Sequence, residues 1–205
     1  LDGSKITSGT VAAARIDNVS STAITYDGIF VFTTFIDNTA RFTSSPGDNR
    51  PFGDIGGRSE ADTICSNWKF KIPKNFNTCI NVRALISINS GDEVRDMPTN
   101  YSVPLDKSVF NEIGQIVSDN FSHLISGNNL YNSLGGMIEL FYDNNDNPYW
   151  TGTSAGGELN SNNCNGFTTR SGGTNGQVHL KNSFYFGGTN PYTCGAAASL
   201  LCLCY

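Results

Sequence analysis

The chain has 205 residues and a net charge of −5, and it contains no apolar run near the ~18 to 20 residues that a membrane-spanning helix needs. Charged residues make up 15%, against about 25% in an average soluble protein, so Ser, Thr, Asn and Gly must cover much of the surface. No cluster of Lys and Arg is present to neutralise phosphates, which excludes nucleic-acid binding as a function class.

Residues 1 to about 22, LDGSKITSGTVAAARIDNVSST, differ from the rest of the chain. The opening LDGSKITSG has neither the charged start nor the apolar stretch of a secretory leader, and the absence of an initial Met reads as a piece of a longer chain. Ile6, Val11 and Ile16 recur at a spacing that fits neither a helix, with its period of about 3.6, nor a strand, with its period of about 2. Such a thin segment cannot bury its apolar residues alone. It is either an unstructured linker or the end of a stem that packs against copies of itself.

From residue 23 onward the pattern is globular. Ile29 to Phe35 is β-branched and aromatic and reads as a strand. RFTSSPGDNRPFGDIGG is loop chemistry. Ser59 followed three residues later by Asp62 reads as a helix start, with Ala61, Ile64, Cys65 and Trp68 on one face. CINVRALISI alternates weakly, as a strand does. VFNEIGQIV is ambiguous, and SDNFSHLISG suits a short helical turn closed by Gly127. After GGMIELFYDNNDNPYW come short β-like pieces between Gly- and Asn-rich loops, with QVHLKNSFYF and SLLCLCY as the last strand candidates. One helix, many short strands and long polar loops predict an α+β fold.

The six cysteines are Cys65, Cys79, Cys164, Cys194, Cys202 and Cys204. Their even number and long spacings favour disulfides and an oxidising compartment over zinc, whose sites usually show close Cys pairs and His pairs. Composition leaves every pairing open.

Four segments carry a resemblance. GDIGGRSEADTIC is similar to the Gly-rich, Ala-Asp-x-x-Cys helix start of a bacterial extracellular domain family related to endostatin and the C-type lectin-like fold. IGQIVSDNFSHLISG resembles its strand and following turn, YWTGTSAGGELNSNNCNGF its Trp-Thr-Gly-Thr segment, and SLLCLCY its closing strand. Phe121 and Phe167 stand where that family usually has Trp. Separately, ITSGTVAAARI resembles stems of phage tail fibres and trimeric bacterial surface fibres. Together these imply a trimerising stem, residues 1–22, before a C-type lectin-like head, residues 23–205, with three disulfides. The implied pairing is Cys65–Cys202, Cys164–Cys194 and Cys79–Cys204. Strand geometry agrees that Cys202 and Cys204 do not pair with each other. Residues two apart lie about 6.5 to 7 Å apart on the same face, and disulfides want Cα atoms within about 4.4 to 6.8 Å and converging side chains. Leu201 and Leu203 then face the other way.

The resemblance also directs attention to a site. Calcium-dependent lectins of this fold use Glu-Pro-Asn in the long loop, and Glu158-Leu159-Asn160 stands at the matching place without the proline, followed later by Asn190. Asp143 and Asp146 form a second oxygen-rich stretch that could take a cation, as could Glu158, although such residues more often make turns. No cofactor is expected, with calcium as the alternative. For metal-free sugar binding, aromatic rings beside polar loops are the candidates. Tyr149, Tyr185, Phe186, Trp150 and Tyr192 are near such loops; Trp150 and Trp68 read as core, and Tyr149 and Tyr192, beside prolines, as an exposed platform. No nucleophile elbow, zinc-protease motif or phosphate loop is present, so no enzyme is expected. His123 reads as a surface residue, and His179 could partner Glu139 or Asp146 without anything in the sequence bringing them together.

The sequence therefore predicts a homotrimeric, extracellular or virion fibre-tip adhesin that binds a surface glycan or surface protein and does not insert into membranes. The alternative is a structural capping or trimerisation domain with no ligand of its own.

Overall fold

The computed structural model describes residues 27–34, 53–72, 79–126, 130–131, 134, 148–171, 173, 175–180, 186–187, 190–196 and 198–205. The expected stem (residues 1–22), Tyr185, Glu139 and the Asp143/Asp146 pair lie outside the described residues.

The closing segment is the centre of the structure. Strand β8 (Ser199–Cys204) runs antiparallel to β1 (Ile29–Thr33) along one edge, with Phe30 opposite Cys204 and Thr33 opposite Leu201. Along its other edge it meets β2 (Val82–Ala84) antiparallel and then β5 (Pro148–Trp150) parallel. The sheet extends outward from β1 through β3 (Val109–Phe110) to β4 (Ile116–Ser118), and from β5 through β6 (Asn175–Leu180) to β7 (Asn190–Thr193). All six residues of β8 are buried, which is why SLLCLCY is nearly all apolar: a strand covered on both faces has no solvent side on which to alternate.

The two faces bury different clusters. Leu200, Cys202 and Cys204 join Phe30, Phe32, Ala61, Cys65, Trp150 and Phe167. Leu201 and Leu203 join Ile29, Val31, Met97, Phe121, Leu124 and Tyr149 on the opposite face. Helix α1 (Gly57–Asn67) covers the cysteine face. The other face is covered by the short helices α2 (Met97–Tyr101) and α3 (Phe121–Ile125). The fold is thus mixed α+β, mostly sheet at its core, and among the described residues no helix is long and apolar enough to cross a membrane. Phe121 and Phe167 are both fully buried.

Three disulfides are formed: Cys65–Cys202, Cys79–Cys204 and Cys164–Cys194. This is the pairing that the resemblance implies. The first two fasten α1 and the approach to β2 onto adjacent same-face positions of β8.

Two local expectations differ from the structure, and one ambiguous segment takes a definite form. Helix α1 begins two residues before Ser59, after Gly56 in the left-handed region (φ 94°), and no side chain caps it. Asp62 is needed elsewhere. It lies on the buried face, where its Oδ1 accepts from the Ala84 amide at 2.8 Å and its Oδ2 from Arg83 Nη1 at 2.8 Å. Trp68 is half-buried rather than core, because it sits at the C-cap where the helix leaves the sheet, with its ring 5.4 Å from that of exposed Phe70. The ambiguous VFNEIGQIV is the β3–β4 hairpin, closed by Asn111, whose Oδ1 accepts from the amides of Ile113 and Gln115.

Candidate functional site: the long-loop face

The loop after β5 is anchored at its root. Thr151 and Gly152 donate their amides to the Gln177 carbonyl, the Ser87 amide donates to the Thr151 carbonyl, and Thr153 Oγ1 lies 3.0 Å from Ser87 Oγ. A Cβ on Gly152, at φ +56°, would stand 2.6 Å from the Ser87 carbonyl oxygen, so only glycine fits there. Trp150 is fully buried, as the sequence predicts, with the rings of Phe167 and Tyr192 against it edge-on at 6.0 and 5.9 Å.

Glu158 and Asn160 are both engaged within the protein. Glu158, whose side chain is 58% exposed, accepts from Arg95 Nη1 at 2.6 Å. Arg95 in turn pairs through Nε with buried Glu93 at 2.5 Å, and Glu93 Oε1 accepts the Leu159 amide at 3.1 Å. This chain of bonds ties the loop to the 3-10 turn Val94–Asp96. Asn160 donates from Nδ2 to Ser154 Oγ at 3.0 Å and accepts the Asn162 amide at 2.8 Å, a local turn bond. Among the described residues, no group of three or more His, Cys, Asp or Glu side chains is placed to hold a metal ion.

The aromatic platform expected from Tyr149 and Tyr192 is not formed. Tyr149 is 0% exposed. Its strand lies between β6 and β8 with both faces covered, so the residue next to buried Trp150 is buried as well, on the opposite side. Burial pushes its phenol well above the usual tyrosine range. Phe186 is also fully buried. Tyr192 is half-buried on Trp150. Asn190 begins β7 opposite Val178, and His179 pairs with Tyr149 across β5 and β6; the side chains of Asn190 and His179 lie outside the described residues. His123 is half-buried in α3.

The structure adds a feature that the sequence does not disclose at sight. Cys164, Asn165, Gly166 and Phe167 all have positive φ (51°, 54°, 68° and 59°), making one left-handed turn. Each non-glycine residue in such a turn costs about 1–2 kcal/mol, less for Asn. The surroundings hold it in place. Asn163 Oδ1 accepts the Gly166 amide at 3.2 Å and its Nδ2 donates to the Ile88 carbonyl at 3.1 Å. The Phe167 side chain is buried, its carbonyl accepts the Gly56 amide at 2.9 Å, and Cys164 is bonded to Cys194. The signal was Asn163 three residues before Gly166, the spacing at which an Asn side chain reaches a backbone amide. Around this turn Ser161, Asn165, Thr168, Arg170, Pro191 and Thr193 are exposed, a polar and nearly uncharged surface on a rigid base.

A scan against protein-family models and a search of curated proteins each find no match to the chain.

Proposed function

We propose that the chain is the binding head of an extracellular fibre and takes a cell-surface glycan on its long-loop face. The observation that carries this reading is the left-handed turn Cys164–Phe167, held by Asn163, a buried ring and a disulfide. Backbone strain retained in a loop on a rigid sheet is typical of a binding surface, because it fixes polar groups before the ligand arrives. Most of the exposed groups are Asn, Thr and Ser, with Arg170 a single charge among them; these exchange hydrogen bonds with sugar hydroxyls and do not form the charge cluster that suits nucleic acid. The disulfides suit an oxidising, extracellular setting. The C-type lectin-like identity of the head and trimerisation through residues 1–22 belong to the same reading. Three heads on one stem would turn weak single-site binding into useful avidity through high effective concentration. The test is a glycan array probed with the full chain, together with its sedimentation velocity. Selective binding to a subset of glycans by a trimer is expected. A folded chain that binds no glycan refutes the binding head and leaves a structural cap; a monomer at high concentration refutes the stem.

A further inference from the structure

We propose that Tyr131, His123 and Asp119 form a second platform, at the sheet edge, for one neutral pyranose residue; the glycan class rests on the binding-head reading. Of the tyrosines and tryptophans among the described residues, Tyr131 is the one with a largely open ring, 53% exposed. Its placement is fixed on three sides. Its amide donates to the Val117 carbonyl of edge strand β4 at 2.9 Å. Its phenol donates to Asp119 Oδ2. Its ring meets the His123 imidazole edge-on, at 5.4 Å and 64°. His123 is held in turn by α3, where its amide donates to the Asn120 side chain at 2.8 Å, and Ser118 Oγ donates to the Asn120 carbonyl at 2.9 Å.

This arrangement fits the two-sided chemistry of a sugar. The C–H face of a pyranose packs on an open aromatic ring, while the hydroxyls around its rim require both acceptors and donors. Asp119 supplies a carboxylate beside the ring, and the His123 imidazole supplies ring nitrogens for hydrogen bonding. The bond from Tyr131 to Asp119 pushes the phenol above its ordinary pKa. Asp119 accepts one bond from the phenol, and a carboxylate has capacity for further hydrogen bonds from sugar hydroxyls. Helix α3 also lies against the Ala155–Gly157 turn, which brings the platform next to the long-loop face.

The experiment is an NMR titration of the full chain, labelled in its tyrosine rings, with methyl glucopyranoside, methyl galactopyranoside and methyl mannopyranoside. Saturation transfer to the sugar gives the affinity independently. We expect one ring resonance, absent from Tyr131→Ala, to shift saturably with at least one sugar. Tyr131→Ala should weaken that sugar by about tenfold or more, and Tyr131→Phe, which keeps the stacking face, by only about threefold. Sugar binding that Tyr131→Ala leaves unchanged, with the Tyr131 resonance still, overturns the platform but not the binding head. No response to any sugar, or a response to tetramethylammonium alone, overturns the sugar platform; the array then decides separately on the head.

Discussion

Removing either of the two disulfides on β8 alone, by Cys65→Ala with Cys202→Ala or by Cys79→Ala with Cys204→Ala, is expected to lower folding stability by about 3 kcal/mol. The span of each bond taken alone, 137 and 125 residues, would suggest about 5 kcal/mol in the chain-entropy model. The two bonds interleave along the chain, however. With one in place, the other closes only a ring of about sixteen residues, from Cys65 to Cys79 and back through Cys202 to Cys204, and so constrains the unfolded chain less. Removing both opens the long loop as well and should cost about 8 kcal/mol, more than the two single losses added together. Denaturant midpoints of the three variants measure this directly. Two single losses that sum to the double loss would contradict this coupling between the bonds.

The second large effect is expected at Arg58. Its side chain is 13% exposed and lies where α1, the end of β2 and the turn after it meet. Nε and Nη2 donate to the two oxygens of Asp92 at 2.9 Å each, and Nη1 and Nη2 donate to the carbonyls of Ala84 and Ile86 at 2.6 Å. Asp62 lies 3.8 Å away, and the guanidinium sits 5.2 Å from the centre of the Tyr101 ring. Arg58→Met keeps the apolar stem but leaves two largely buried carboxylates and two carbonyls without this partner, so a loss of about 3–5 kcal/mol is expected. Arg58→Lys should restore little, because an ammonium cannot make the planar fork. Arg83 is the control. It faces the same ring at 4.8 Å and the same Asp62, but its side chain is 36% exposed, so Arg83→Met should cost about 1 kcal/mol. Urea unfolding of the three variants tests the ranking, and near-equal losses for Arg58→Met and Arg83→Met would refute it.

The legibility of each feature in the sequence depends on the range over which its signal acts. The α+β character, the apolar strand SLLCLCY with its two-sided alternation of cysteine and leucine, and the core position of Trp150 depend on local pattern. The burial of Tyr149 does not, because it depends on which strands lie on either side of β5. A proline neighbour suggested a loop, yet Pro148 opens the strand. Asp62 looked like a helix-start residue because Ser-x-x-Asp is a local signature; its actual bonds reach Ala84 and Arg83, more than twenty residues on. The same holds at the site. Glu158 stands in a loop motif, but its partner in the structure is Arg95, 63 residues away in sequence. Tyr131 gave no signal of its own. Its exposure depends on the edge of β4, and its partners Asp119 and His123 come from the adjoining turn and helix.

The binding-head reading is tested most directly by hydrogen exchange of the full chain with and without a glycan selected on the array. Slowed exchange is expected in peptides covering 151–171 and 119–131, with α1 and β2 unchanged. Protection confined to α1 and β2, or none anywhere at saturating glycan, would contradict the account.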